Sequence, residues 1–95
     1  MELEVKFDSV HRKIYALVEG HECVINYHRT KNDSILDFYR TYVPEALRGQ
    51  KIASLLVERA LIFVQEKGYK IIPSCSFVRS YIDQHPEWKK IVSPS

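Results

Sequence analysis

Apolar residues recur along this chain at two different periods, and the change of period divides it. Leu3, Val5 and Phe7 alternate with charged residues, which predicts a half-buried strand over residues 3–7. Asp8-Ser9 reads as a turn. Residues 14–18 and 22–28 predict a second and a third strand, and the short Glu19-Gly20-His21 connection makes them a hairpin. Residues 29–34 form a polar loop with Asn32-Asp33 at its tip. Residues 35–43, rich in β-branched and aromatic side chains, predict a fourth strand. Pro44 has no N–H to give and ends its pairing.

From residue 50 the period lengthens. Ile52, Leu55, Leu56, Ala60, Phe63 and Val64 fall on one helical face, which predicts a helix over 50–67. Val57, Leu61 and Ile62 widen the apolar arc, so the helix is covered on much of its surface, with Glu58, Arg59, Gln65, Glu66 and Lys67 on the wetter side. Gly68 is the expected stop. Residues 69–72 predict a short, central fifth strand that Pro73-Ser74 breaks. Phe77, Val78, Tyr81 and Ile82 predict a second helix over 76–84. Pro86 then starts a short turn, Ile91-Val92 pack back, and residues 93–95 form a fraying tail. A strand–helix–strand passage makes a right-handed crossover between parallel strands. The expected fold is therefore mixed α+β: an antiparallel meander, a β-α-β crossover and a C-terminal helix, in one domain over residues 1–95.

Composition narrows the classes. A chain of 95 residues with 45% hydrophobic and 27% charged residues reads as an ordinary soluble globular domain with one core. A net charge of +2, with basic residues not interleaved with stacking aromatics, argues against nucleic acid. No apolar run approaches the ~20 residues of a membrane span, and the first residues do not resemble a signal peptide. Cys23 and Cys75 are too few for a disulfide framework, and there is no Cys-x-x-Cys or His-x-x-x-His pair, so no metal site is expected. A reducing cytoplasm with both thiols free is the expected setting.

Candidate chemistry concentrates at Arg48-Gly49-Gln50-Lys51-Ile52-Ala53. Gly49 permits close backbone approach, the helix start offers unpaired N–H groups, and Arg48 and Lys51 add cations suited to phosphate. Every helix needs a start, so the turn by itself fits either an anion site or plain structure. It is neither a P-loop nor a dinucleotide fingerprint. Cys75 lies between Ser74 and Ser76 at a helix N-terminus, which can lower a thiol pKa, with Arg79 one turn on; the alternative is an inert buried cysteine. Cys23 reads as core and His85 as a helix C-cap. Tyr42 stands at a strand end beside the turn, where it can line a site.

Val43-Pro44 followed by residues 47–56 resembles motif A of the GNAT (Gcn-related N-acetyltransferase) superfamily, written Arg/Gln-x-x-Gly-x-Gly/Ala, with Arg48 in the first place and Ala53 in the last. Residues 71–78, containing Pro73-Ser74-Cys75-Ser76, and His85-Pro86-Glu87-Trp88 are similar to segments of its short, single-domain YjdJ-type branch. The resemblance implies acetyl-CoA as cofactor, its pyrophosphate held by Arg48, Gly49, Gln50, Lys51, Ile52, Ala53 and Ser54. It implies that the fourth and fifth strands splay beyond Val43 and Ile72, and that the pantetheine arm pairs with Tyr42 and Val43. A backbone N–H near Val43 would polarise the thioester carbonyl, and Cys75 would lie beside the thioester as the catalytic residue. The implied activity is acetyl transfer to an amine, on a small molecule or on a protein lysine or N-terminus, directly or through acetyl-Cys75. The other reading is a CoA-binding module with little or no catalysis. No nucleic-acid or membrane partner is expected, and the protein is expected to be a monomer or a weak homodimer. Two departures stand out: Lys51 replaces the internal glycine of the motif, and Arg40-Thr41-Tyr42 stands where the branch often carries His-Thr-Glu.

Overall fold

The computed structural model describes residues 3–94. Five strands, β1 (Lys6–Asp8), β2 (Lys13–Val18), β3 (His21–Arg29), β4 (Ile35–Tyr42) and β5 (Lys70–Pro73), form one sheet in chain order. The first three pairings are antiparallel and β4–β5 is parallel. Helix α1 (Ile52–Glu66) makes the crossover and α2 (Ser76–Gln84) follows β5. The expected mixed fold of meander, crossover and C-terminal helix is the one observed. Short 3₁₀ turns cover Glu45–Leu47 and Pro86–Ile91.

Local signals built the connections. Glu19 (φ 51°) and Gly20 (φ 80°) both lie in the left-handed region, the two-residue turn that suits the twist of a hairpin. At the end of α1, Gly68 N–H bonds Gln65 O at 3.0 Å and Tyr69 N–H bonds Val64 O at 2.9 Å. Together these two bonds form a Schellman stop with Gly68 at φ 74°.

The core lies on one face of the sheet. Ile14, Ala16 and Val18 alternate into it from β2, Cys23, Ile25 and Tyr27 from β3, and Leu36 and Phe38 from β4. Leu56, Ala60 and Val64 of α1 and Val78 and Ile82 of α2 close over them. The opposite face carries Tyr15, Leu17, His28, Arg40 and Tyr42 and is open, with Leu17 63% exposed.

Three expectations shift, and β4 carries an irregularity besides. The Leu3-Val5-Phe7 alternation becomes strand only over Lys6–Asp8; Leu3 is buried and Val5 packs on the core without joining the ladder. Alternation reports which side faces the core, not whether a partner strand is in reach. β5 is not central but at the sheet edge, and it includes Pro73, which an edge tolerates. Among the described residues its outer side pairs only through the isolated Ile71–Val92 bridge and a Ser93 N–H bond to Ile71 O at 2.7 Å. Helix α1 begins at Ile52 rather than Gln50, because Lys51 takes a left-handed conformation (φ 61°, ψ 22°). In β4, Arg40 stands opposite Asn26 and Phe38 opposite Tyr27, which leaves Tyr39 as an extra residue, a β-bulge.

Candidate functional site

β4 and β5 pair from Ile35↔Lys70 to Phe38↔Pro73 and then part. The sequence placed this parting beyond Val43 and Ile72; it comes earlier on β4. Pro73 cannot donate, and the chain turns at once, with Ser74 N–H bonding Ile72 O at 3.0 Å. One last link crosses, Cys75 N–H to Phe38 O at 2.8 Å. From there β4 runs on to Tyr42, paired with β3 alone. Residues two apart present the same edge. The Thr41 hydroxyl lies 3.5 Å from Cys75 Sγ in this gap. The Val43 N–H, in a residue 8% exposed, makes no hydrogen bond among the described residues.

After Val43 the chain tightens into the 3₁₀ turn, and Arg48 Nε donates back to Val43 O at 3.0 Å. Part of Arg48 is thus structural: it ties the loop to the strand end. Gly49 follows at φ 86°, and a Cβ there would meet nothing within 4 Å, so glycine serves its backbone conformation rather than its small size. Lys51, the N-cap of α1, makes no side-chain cap. The first N–H bond of the helix is Leu55 to Lys51 O at 3.2 Å, so the N–H groups of Ile52, Ala53 and Ser54 are bare among the described residues.

These groups surround a cavity of about 170 Å³, walled by Val43, Arg48, Gly49, Lys51, Ile52, Ala53 and Ser54, with Phe77 of α2 closing it. The structure therefore gathers most of the sequence-named cofactor residues at one place. Gln50 instead lines a neighbouring groove of about 590 Å³, with Lys51, Ser54, Glu58 and His85. Tyr42 is on the open sheet face, its ring 5.0 Å below Arg40 Cζ, so only its backbone borders the gap.

Cys75 is the N-cap of α2 and is 8% exposed. Burial pushes its thiol up, but hydrogen bonding to Thr41 and to the backbone around Val78, Phe77 and Thr41 outweighs it, and the pKa lies below the ordinary thiol value. The N–H groups of Phe77 and Val78 face the sulfur without closing a short cap bond. Arg79 reaches Ser74 O at 3.4 Å, so dipoles rather than that cation lower the thiol. Cys23 is fully buried in the core, and burial raises its pKa. His85 Nδ1 lies 2.9 Å from Tyr81 O, with its ring stacked on Tyr81 at 4.1 Å, which is the expected C-cap.

One group escaped the sequence reading. Asp37 Oδ1 is buried and has no hydrogen-bond partner among the described residues. Asp37 stands opposite His28 on one side and Ile72 on the other, on the open sheet face. It directly precedes Phe38, where β4 and β5 part. An acid between Leu36 and Phe38, two buried apolar residues, was the available signal, but the pattern alone does not show that its oxygen goes unpaired.

Bare N–H groups and two cations beside a small cavity suit linked phosphates. A strand edge with a free N–H suits an extended chain bearing amides. Acetyl-CoA has both parts, so the residues present fit it.

A family model of the GCN5-related N-acetyl-transferases matches residues 13–91. Protein NATD1 of Gallus gallus is 29% identical over 85 residues, spanning 88% of this chain and 77% of its own length. Protein NATD1 of Homo sapiens is likewise 29% identical over 85 residues, 88% of this chain and 75% of that protein. The NMR structure of a GCN5-like protein from Staphylococcus aureus superposes with a TM-score of 0.68 at 24% identity, over 96% of this chain and 88% of that one, a likeness of fold. The family match runs from the start of β2 to the last 3₁₀ turn and takes in the parted strands and the bare helix start, so this chain belongs to the GCN5-related N-acetyltransferase family.

Proposed function

We propose that this protein transfers an acetyl group from acetyl-CoA to an amine acceptor, a small molecule or a protein lysine or N-terminus. The observation that carries the reading is the continuity of two unsatisfied features: the uncapped start of α1 and the free edge of β4 beyond Phe38. The N–H groups of Ile52, Ala53 and Ser54, with Arg48, would hold the pyrophosphate, and Lys51 stands at the edge of the same cavity as a further cofactor contact. The Thr41–Val43 edge would hold the pantetheine arm. Bound there, acetyl-CoA supplies a thioester whose carbonyl is open to a nucleophile.

The rest falls to the chain's own groups. The free Val43 N–H is available to a developing oxyanion. The open sheet face admits the acceptor, and Asp37, with an unpartnered carboxylate oxygen there, takes the proton from the attacking amine. This supplies a base despite the missing His-Thr-Glu. A second route is favoured by the lowered Cys75 thiol: its thiolate forms the S–C bond to the acetyl group, the CoA sulfur leaves as a thiol, and the amine then displaces Cys75.

Calorimetry with CoA and turnover on a panel of polyamines and lysine peptides test the proposal. Asp37→Asn lowers turnover by about 10²- to 10⁴-fold if Asp37 is the base. An acetyl adduct on Cys75 by intact mass, with activity lost in Cys75→Ser, selects the second route. CoA binding without turnover of any amine reduces the protein to a binding module, and absence of CoA binding removes the proposal.

A further inference from the structure

Lys51 is the one cation among the described residues that lines both the small cavity and the groove beside it. The small cavity beside Gly49 and the larger groove along α1 meet at a common wall made of Lys51 and Ser54. On the small side stand the bare N–H groups and Arg48, enough for two linked phosphates. On the large side the polar residues beyond that wall are Gln50, Glu58, Tyr81 and His85. Glu58 repels any phosphate placed there, and His85 has its Nδ1 committed to the Tyr81 carbonyl at 2.9 Å. Lys51 is thus the one residue lining that groove with a fixed positive charge. Its ammonium makes no ion pair among the described residues.

Resting on the acetyl-CoA reading above, we propose that Lys51 selects coenzyme A over its 3′-dephospho form by pairing with the 3′-phosphate, assisted by the Ser54 hydroxyl. The 3′-phosphate is a monoester carrying close to two negative charges near neutral pH, whereas each pyrophosphate unit carries one. A compact ammonium on a flexible stem is suited to such a point-charge contact. A glycine at position 51 would serve the backbone turn equally well and offer nothing to the groove. The lysine therefore adds a ligand contact to a conformation that does not need it.

Calorimetry with CoA and with 3′-dephospho-CoA tests this on the wild-type chain, Lys51→Gly and Lys51→Asn. Both replacements tolerate the left-handed backbone. The wild type is expected to bind CoA about tenfold more tightly than dephospho-CoA. Both variants are expected to weaken CoA by about tenfold more than they weaken dephospho-CoA, and so to lose the preference. Equal wild-type affinity for the two ligands overturns the inference while leaving the acetyl-CoA reading standing. So does equal weakening of both ligands in the variants, which puts the lysine on the pyrophosphate. Failure of either ligand to bind the wild type overturns both readings.

Discussion

Helices α1 and α2 begin where neighbouring strands of the sheet end, and neither has a Ser, Thr, Asp or Asn cap. Their starts differ in what covers them. At α2 the Cys75 sulfur lies among the N–H groups of Phe77, Val78 and Thr41 and under the Thr41 hydroxyl, and the residue is 8% exposed. At α1 the cap position holds Lys51, a donor without an acceptor, and the first N–H groups open on a cavity. Both ends carry the same backbone dipole. What leaves one of them open to a ligand is the omission of a capping acceptor, not the dipole.

The largest effect is expected from breaking the open end. Gly49→Glu places a carboxylate beside the bare N–H groups and forces an L-residue to φ 86°. A Cβ there meets nothing within 4 Å, so the variant strains the backbone without a clash, and a urea melt separates that cost from the loss of ligand. Calorimetry is expected to show CoA affinity reduced by about 10²-fold, the order of two lost charge-assisted contacts.

The sealed end is sharpened by Thr41→Val, which removes the hydroxyl from Cys75. The pH profile of thiol alkylation should begin below that of a free cysteine in the wild type and move up toward it in the variant. Stability follows with a definite sign. A thiol whose folded pKa lies below its unfolded value contributes stability above the unfolded value and loses it as pH falls through the folded one. The midpoint of Thr41→Val should therefore fall further below that of the wild type as pH rises across that window, a difference in which the opposite contribution of Cys23 cancels. Cys23, buried and shifted the other way, should stay unlabelled until the chain unfolds.

The smallest effect returns to the open end. Lys51→Gly relieves a left-handed conformation at φ 61° and is expected to stabilise the fold by about 0.5–1 kcal/mol in urea denaturation. Loss of stability in this variant would mean that the lysine stem packs against the protein.

The candidate site was legible in the sequence to the extent that it is local. Residues 48–54 are contiguous, so the turn, the glycine and the helix start are visible as a string, and the structure gathers nearly all of them around one cavity. Cys75 was legible as the residue before an amphipathic helix. Asp37 was not, because its meaning depends on His28 and Ile72 across two different strands. Tyr42 was named for its place at the strand end, and the face of the sheet that receives its ring is set by the bulge at Tyr39, which has no periodic signature.

By itself the sequence determined the elements and their order. Alternation and helical spacing come from which side chains must leave water, and the Glu19-Gly20 turn and Gly68 stop come from backbone conformations that neighbouring residues allow or forbid. The tertiary structure alone decided where β4 and β5 part, which carboxylate lacks a partner, and that Lys51 adopts the glycine conformation and stands between two cavities. Those outcomes depend on register and on neighbours distant in the chain. A sequence pattern records the face each residue presents, but not what stands opposite it.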